Sequence, residues 1–490
     1  MQLRRPIFVL AAVGALLLSA GTTTASPLTA SPLVLASSPS PFSGCTVGGP
    51  GVNNPNTEVE PWLAVNPANP NNVIGVYQQD RWADGGARGL VAAVSFDGGL
   101  TWTHTWAHFS TCSGGTPANG GDFDRASDPW VTFAPNGDAY QISLSASADL
   151  LTSGILVSKS SDGGLTWSEP TTLIRETSAF NFNDKESITA DATNSNYVYA
   201  VWDRSRKPGE NADFNALHSF AFRGDPMFSR TTNGGASWET PRNIFGQNKN
   251  LFTIGNQIDV LPDGSLVDVF ELGKGSGVQG SANPFTQSLV RSTDKGATWS
   301  KPIDISTDRS VATRDPDTGA AVRTGAGLPD VAVDSASGAL YVVWSDGRFS
   351  GGDHNDVALS VSTDGGLTWS APVKVNQTPG GAAAFTPSVE VAADGTVGVT
   401  YYDFRNNTPA AGALADVWLA HCHADCGDDA SWSSEVRLTS ASFDVEAAPV
   451  ARGYFLGDYA GLDSVGNQFL AFFSTTSGDA ANAFATRVGP

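Results

Sequence analysis

An all-β fold, a ring of repeated four-stranded antiparallel sheets, is predicted for this 490-residue chain by three observations. The first is a recurring octapeptide: SFDGGLTW (Ser95–Trp102), SSDGGLTW (Ser160–Trp167), TTNGGASW (Thr231–Trp238), STDKGATW (Ser292–Trp299) and STDGGLTW (Ser362–Trp369). The second is a two-strand pattern ahead of each copy, such as PWLAVNPANPNNVIGVYQ and PWVTFAPNGDAYQISLS, in which apolar residues flank an Asn/Asp/Gly/Pro turn. The third is the period: the five tryptophans stand 61 to 71 residues apart, room for four strands and their loops. Four-stranded units repeated radially at a fixed period are the signature of a β-propeller.

Each octapeptide is expected to be the turn between the third and fourth strands of its unit. Asp97, Asp162, Asn233, Asp294 and Asp364 can accept backbone N–H groups within the turn, and the glycines take positive φ without strain. Trp102, Trp167, Trp238, Trp299 and Trp369 are expected to fold back and bury their rings against the hairpin. The turns therefore read as structural locks rather than as chemistry. ESITADATNSNYVYAVW, NQIDVLPDGSLVDVFE, PDVAVDSASGALYVVW and PSVEVAADGTVGVTYY continue the two-strand series. The sixth unit carries DDASW (Asp428–Trp432) and a cysteine pair in place of the lock. A seventh copy, DYAGLDSVGNQFLAFFS, closes the chain one strand short, and the segment around Cys45–Val52 is expected to supply that strand. Seven blades are expected, with six as the alternative.

Residues 1–25 have Arg4 and Arg5 ahead of an apolar run ending in small residues, the pattern of a secretory signal peptide cleaved after Ala25. The paired arginines leave a twin-arginine route open. Residues 26–42 are Ser/Pro-rich and read as a disordered lead-in, which makes 43–490 a single propeller domain. No later apolar run is long enough to span a membrane. In an exported chain, four cysteines read as two disulfides, Cys422 with Cys426 and Cys45 with Cys112. The net charge of −21 argues against nucleic-acid partners. A monomer is expected. No cofactor is required, but Asp122, Asp124 and Asp128, and Asp353 with Asp356, offer alternating oxygens of the kind a structural calcium accepts.

A second recurrence lies at the end of strand two. Asp80-Arg81, Asp203-Arg204, Asp346 with Arg348, and Asp403 with Arg405 set a carboxylate and a guanidinium at equivalent places. In a four-stranded meander this rim is opposite the locks. Ion pairs between neighbouring units are one reading. The other is anion recognition, for which the forked guanidinium is suited.

The pattern Ser-x-Asp-x-Gly-x-Thr-Trp resembles the Asp box (BNR repeat) of the sialidase, or neuraminidase, superfamily, over about residues 60 to 440. The resemblance implies a secreted glycoside hydrolase acting on acidic-sugar glycoconjugates. In that family, arginines hold the sugar carboxylate, a Tyr activated by a Glu is the nucleophile, and an Asp is the acid/base. Carried onto this chain, Tyr459 in GDYAGL is the nucleophile, Glu186 its activator and Asp84 the acid. Arg81 and Arg204 then hold the carboxylate, with Arg348 or Arg405 as the third arginine. The family's Arg-Ile-Pro motif is replaced here by Val59-Glu60-Pro61, which sets an acid where an arginine is expected. That departure keeps two further readings open: a non-catalytic glycan- or protein-binding propeller, and a polysaccharide lyase using a Tyr or His base with an Arg on a uronate.

Overall fold

The computed structural model describes residues 28–207, 223–246, 251–274, 285–478 and 480–490. The signal-peptide expectation for residues 1–25 lies outside them. Among the described residues, the regular elements are antiparallel strands and a few 3-10 turns, apart from one short parallel pair, Val322–Arg323 with Tyr454–Phe455. Among these residues no helix is long and apolar enough to cross a membrane.

Strands 1 to 3 of the first unit are Glu58–Val65, Val73–Arg81 and Ala87–Ser95, with Thr103–Thr105 as its short outer strand. The same meander follows in Arg125–Phe133 to Thr171–Glu176, joined to the first by an Ala87–Ala126 pairing. It repeats from Asn181–Ala190, Leu251–Val260, Asp330–Val333 and Ala384–Val391. The closing sheet comprises Gly461–Val465, Gln468–Ser477 and Ala480–Gly489. The innermost strand of each unit touches that of the next, and Gly461–Val465 touches Glu58–Val65.

The fourth strand of the closing sheet comes from Thr29–Ala30 and Val34–Leu35, which pair with Ala480–Gly489. This corrects two expectations: the lead-in 26–42 is part of a sheet from Leu28 onward, and Cys45–Val52 is not the closing strand. Instead, Gly48 to Asn54 clamps the turn after Arg81. Asn53 pairs with Trp82, and the Asn54 N–H donates to the Arg81 carbonyl at 2.8 Å. Side chains do not fit beneath this clamp. A Cβ on Gly48 would sit 2.2 Å from the Trp82 ring, and one on Gly51 would sit 2.5 Å from Asp84 Oδ1. Disulfides join Cys45 to Cys112 and Cys422 to Cys426, the first tying the clamp to the end of unit one.

The locks form as the sequence implies. Ser95 Oγ donates to Asp97 and accepts the Gly99 N–H, while Asp97 accepts the Leu100 and Thr101 N–H groups and the Thr101 hydroxyl at 2.6 to 3.0 Å. Asp162, Asp294 and Asp364 repeat the pattern on Thr166, Thr298 and Thr368. Asn233 replaces it with a bond to the Ser237 N–H and one to its hydroxyl.

Three tryptophans depart from expectation, because they reach the preceding sheet, whereas Trp369 donates Nε1–H to the Gly366 carbonyl of its own turn at 3.2 Å. Trp102 meets Phe472 of the closing sheet, Trp299 meets Phe228 of unit three, and Trp167 donates Nε1–H to Thr105 of unit one. Basic side chains add a second tie. Lys159 and Arg230, each just before a lock, donate to the Gly234 and Lys295 carbonyls of the following locks, and Arg487 of the last strand reaches the Gly98 carbonyl across the chain ends. In the sixth unit, fully buried Trp432 donates to the Cys426 carbonyl at 2.9 Å, so the disulfide loop stands in for the lock.

Candidate functional site

A cavity of about 1110 Å³ opens at the end of the inner strands opposite the locks. Two of its charged residues, Asp128 and Lys185, are delivered by a backbone device that recurs at the start of the inner strands. A β-bulge interrupts the pairing between Val59 and Trp62, Ser127 and Trp130, Asp184 and Ser187, Ile254 and Gln257, and Phe385 and Ser388. Within these bulges Glu60, Asp128, Lys185, Gly255 and Thr386 have φ between 46° and 75°. Such backbone is uncommon for residues other than glycine, and bulges of this kind re-aim a side chain near functional sites. Asp128 and Lys185 thereby line the cavity, as does Asp458, which holds the corresponding place two residues before Ala460.

Three guanidinium groups gather there. Arg323, from the parallel insert, forms a two-pronged ion pair with Asp458. Arg81 is buried, donates to Gln78 at 2.5 Å, and lies over the Phe455 ring, as Arg323 does. Arg452 lines the cavity in a left-handed backbone conformation (φ 66°) and makes no hydrogen bond or ion pair among the described residues. Lys185 is buried with Nζ 3.8 Å from the Tyr459 ring centre and 4.6 Å from that of Trp130.

The carboxyl groups divide into two protonation classes. Burial, then the Asp128 charge, pushes Asp184 up to about 7. Glu60 is held well above its ordinary range by burial and by Asp128, and the Gln78 amide donates to it. Asp458 is buried too, which by itself would raise it. The Arg323 charge and hydrogen bonds, with Arg81 and Arg452 behind them, outweigh that and hold it down. Burial and the Asp128 charge thus disfavour the ionised form of Glu60, which weakens the repulsion of an anion expected from it.

Of the site residues expected from sequence, Arg81 and Asp84 line the cavity. Asp84 is engaged by Arg125 at 2.6 Å. Arg204, Arg348 and Arg405 do not line it, which corrects their assignment. Arg204 is paired with Glu176 of the preceding unit, whereas Arg348 with Asp346, and Arg405 with Asp403 and Glu435, pair within their own sheets. Tyr459 and Glu186 make no hydrogen bond to each other. Tyr459 is 7% exposed, packs against Trp62 and Trp130, and donates to the Pro129 carbonyl at 3.3 Å. Glu186 is fully buried, raised well above its usual range by burial, and lines no part of the cavity. The nucleophile geometry expected from the resemblance is thus not formed, because the tyrosine ring is consumed as core between the first, second and closing sheets.

Among the described residues, no group of three or more His, Cys, Asp or Glu is arranged to hold a metal ion. The acidic loops have other partners: Asp122 pairs with Arg175, the Ala148 N–H donates to Asp124, and Ser127 donates to Asp128. Asp353 meets His354, and Asp356 meets Lys374.

No family model matches the chain, and no curated protein matches it. Among solved structures, a protein of unknown function from Dyadobacter fermentans is similar at 12% identity and TM-score 0.46, covering 95% of this chain and 99% of that one. A leech intramolecular trans-sialidase is similar at 12% identity and TM-score 0.47, covering 89% of this chain and 91% of that one. A Penicillium chrysogenum alpha-L-arabinanase follows at 10% identity and TM-score 0.45, covering 94% and 98%. Likeness at this level transfers neither residue roles nor activity.

Proposed function

We propose that the protein is an exported, monomeric glycoside hydrolase of seven blades that takes the acidic sugar of a glycan or glycoconjugate in this cavity. The circular succession of inner strands supports the ring. The observation that carries the function is the charge balance at the cavity floor. Arg81, Arg323, Arg452 and Lys185 gather with Asp128 and Asp458, while burial disfavours the charged forms of Glu60 and Asp184. Among the described residues Arg452 makes no hydrogen bond or ion pair, which leaves a forked donor for a sugar carboxylate. In most glycoside hydrolases one ionised and one protonated carboxyl group flank the bond. Asp458 is the ionised one in this reading, in place of Tyr459.

The test is hydrolysis of fluorogenic glycosides of sialic acid and of glucuronic acid beside a neutral glucoside. The expected result is turnover of an acidic substrate only, with Arg452→Ala raising KM for it at least tenfold. KM is also expected to rise above about pH 7, where Asp184 ionises. Tight binding of an acidic sugar without turnover would favour the non-catalytic reading, and release of an unsaturated product the lyase.

A further inference from the structure

Two carboxyl groups on the cavity wall are not used by the guanidinium cluster. Glu271 lies near the end of Leu266–Lys274, and Asp308 follows Ile303–Thr307; both line the cavity. Asp308 is fixed by the Ser310 N–H at 2.9 Å and the Ser310 hydroxyl at 2.8 Å. A Cβ placed on Gly327 would stand 3.1 Å from Asp308 Oδ2, 3.2 Å from Glu271 Oε1 and 3.2 Å from Ser310 Oγ, so the three oxygens converge on one point. Burial, then the Asp308 charge, raises Glu271 well above its ordinary range, and burial raises Asp308 as well. Directly opposite Glu271 in the sheet, fully buried Gln287 donates to the Gly327 carbonyl at 2.8 Å and leaves its own Oε1 unpartnered.

The placement relative to Asp458 gives the pair its meaning. Gly325 and Gly327 have φ of 59° and 91°. A Cβ on Gly325 would meet the Asp458 carbonyl at 2.5 Å and its Cβ at 2.8 Å, whereas Gly327 faces Glu271 and Asp308. One short glycine loop therefore has Asp458 on one side and the Glu271–Asp308 pair on the other. Asp184 does not share this arrangement, since the charges acting on it are those of the Asp458 cluster itself.

We propose that Glu271 is the general acid of the hydrolysis, with Asp308 as the residue that positions it. The inference rests on the hydrolase reading above. The Glu271 proton passes to the glycosidic oxygen as the bond from that oxygen to the anomeric carbon breaks. A water oxygen bonds to the carbon and gives its proton to Asp458. Solvent then carries a proton from Asp458 back to Glu271, so sugar and alcohol are the net products of glycoside and water. The groups bearing on this proton are Asp308 and Asp203 for Glu271, and Asp346 for Asp308.

The experiment compares methyl and 2,4-dinitrophenyl glycosides of whichever acidic sugar the wild type turns over. An aliphatic leaving group needs protonation, and a dinitrophenolate does not. Glu271→Gln is expected to lower kcat/KM about 100-fold or more on the methyl glycoside and less than about fivefold on the dinitrophenyl one. Asp308→Asn, which keeps a hydrogen-bond acceptor for Glu271, is expected to shift the alkaline limb of the methyl-glycoside profile while sparing the aryl substrate; this readout stands if the Gln variant does not fold. Equal losses on both substrates, or no loss on the methyl glycoside, overturn the assignment while leaving the hydrolase reading intact. A wild type that cleaves neither substrate overturns both.

Discussion

The two ends of the inner strands solve opposite problems with the same residue type. At the lock end, aspartates are exposed and satisfied within eight residues. Hydrogen bonds from the Thr298 and Thr368 side chains and N–H groups pull Asp294 and Asp364 down to about 2. At the cavity end and along the inner and second strands, carboxyls are buried among sheets and pushed up: Asp203 to about 8, Asp259 to about 7, and Asp330 and Asp463 to about 6, burial being the leading cause in each. A carboxylate that finds N–H groups locally is a brace, whereas one that must wait for distant units to assemble becomes a reagent or a liability.

The comparison can be broken most directly at Asp458. On the hydrolase reading, Asp458→Asn should lower kcat by about 10²–10⁴-fold, while Asp364→Ala at a lock should leave kcat/KM unchanged; loss in both or in neither erases the distinction. Calorimetry on Trp432→Ala should give a loss of about 3–5 kcal/mol, since the ring is fully buried and its N–H partnered. Replacing Cys45 and Cys112 together by serine should cost about 2–4 kcal/mol through the freed chain.

A pH series on stability sharpens the contrast, because the two ends titrate with opposite sign. The raised carboxyls bind protons in the folded chain that the unfolded chain has already lost. Their stabilisation is therefore full below about pH 4 and is lost as pH rises through 6 to 8. The lock carboxylates contribute above about pH 4, and that contribution is lost as pH falls through 2. The unfolding midpoint should thus peak near pH 4–6 and fall on both sides; a maximum above pH 8 would contradict the burial. The smallest expected effect is at Tyr459. Tyr459→Phe removes one 3.3 Å bond to a carbonyl and should cost about 1 kcal/mol of stability and less than about threefold in rate, whereas a nucleophile would lose nearly all turnover.

Much of the lock end was legible because its chemistry is contiguous: eight residues contain donor, acceptor, turn and ring. Even there, the partner of each ring was not, since Phe472 for Trp102 and Phe228 for Trp299 belong to other units. Lys159 and Arg230 carried a signal, because a basic residue stands ahead of three of the boxes, Arg291 being the third, whereas Arg487 precedes no box. The cavity end was legible only at Arg81 and Asp84, both close to the end of a strand whose position the repeat fixes. Arg323 and Arg452 come from an insert and a linker with no counterpart in other units, so no period points to them. The bulges did leave a trace, in the residue before Pro61, Pro129 and Pro387, where Glu60, Asp128 and Thr386 take positive φ. Arg204, Arg348 and Arg405 share a strand end with Arg81, but Arg348 and Arg405 have a carboxylate of their own sheet within reach and Arg204 has Glu176 of the preceding unit.

The strands Thr29–Ala30 and Val34–Leu35 complete a sheet whose other members begin some 430 residues later. During synthesis this leading piece has no partner until Ala480–Gly489 has emerged, so the final closure is the slowest kind of contact to make. A chain arrested before that point would hold an open sheet edge, ready to pair with another molecule in the same condition. Crowded production should therefore yield exchanged dimers joined through this sheet, and dilution during refolding should suppress them.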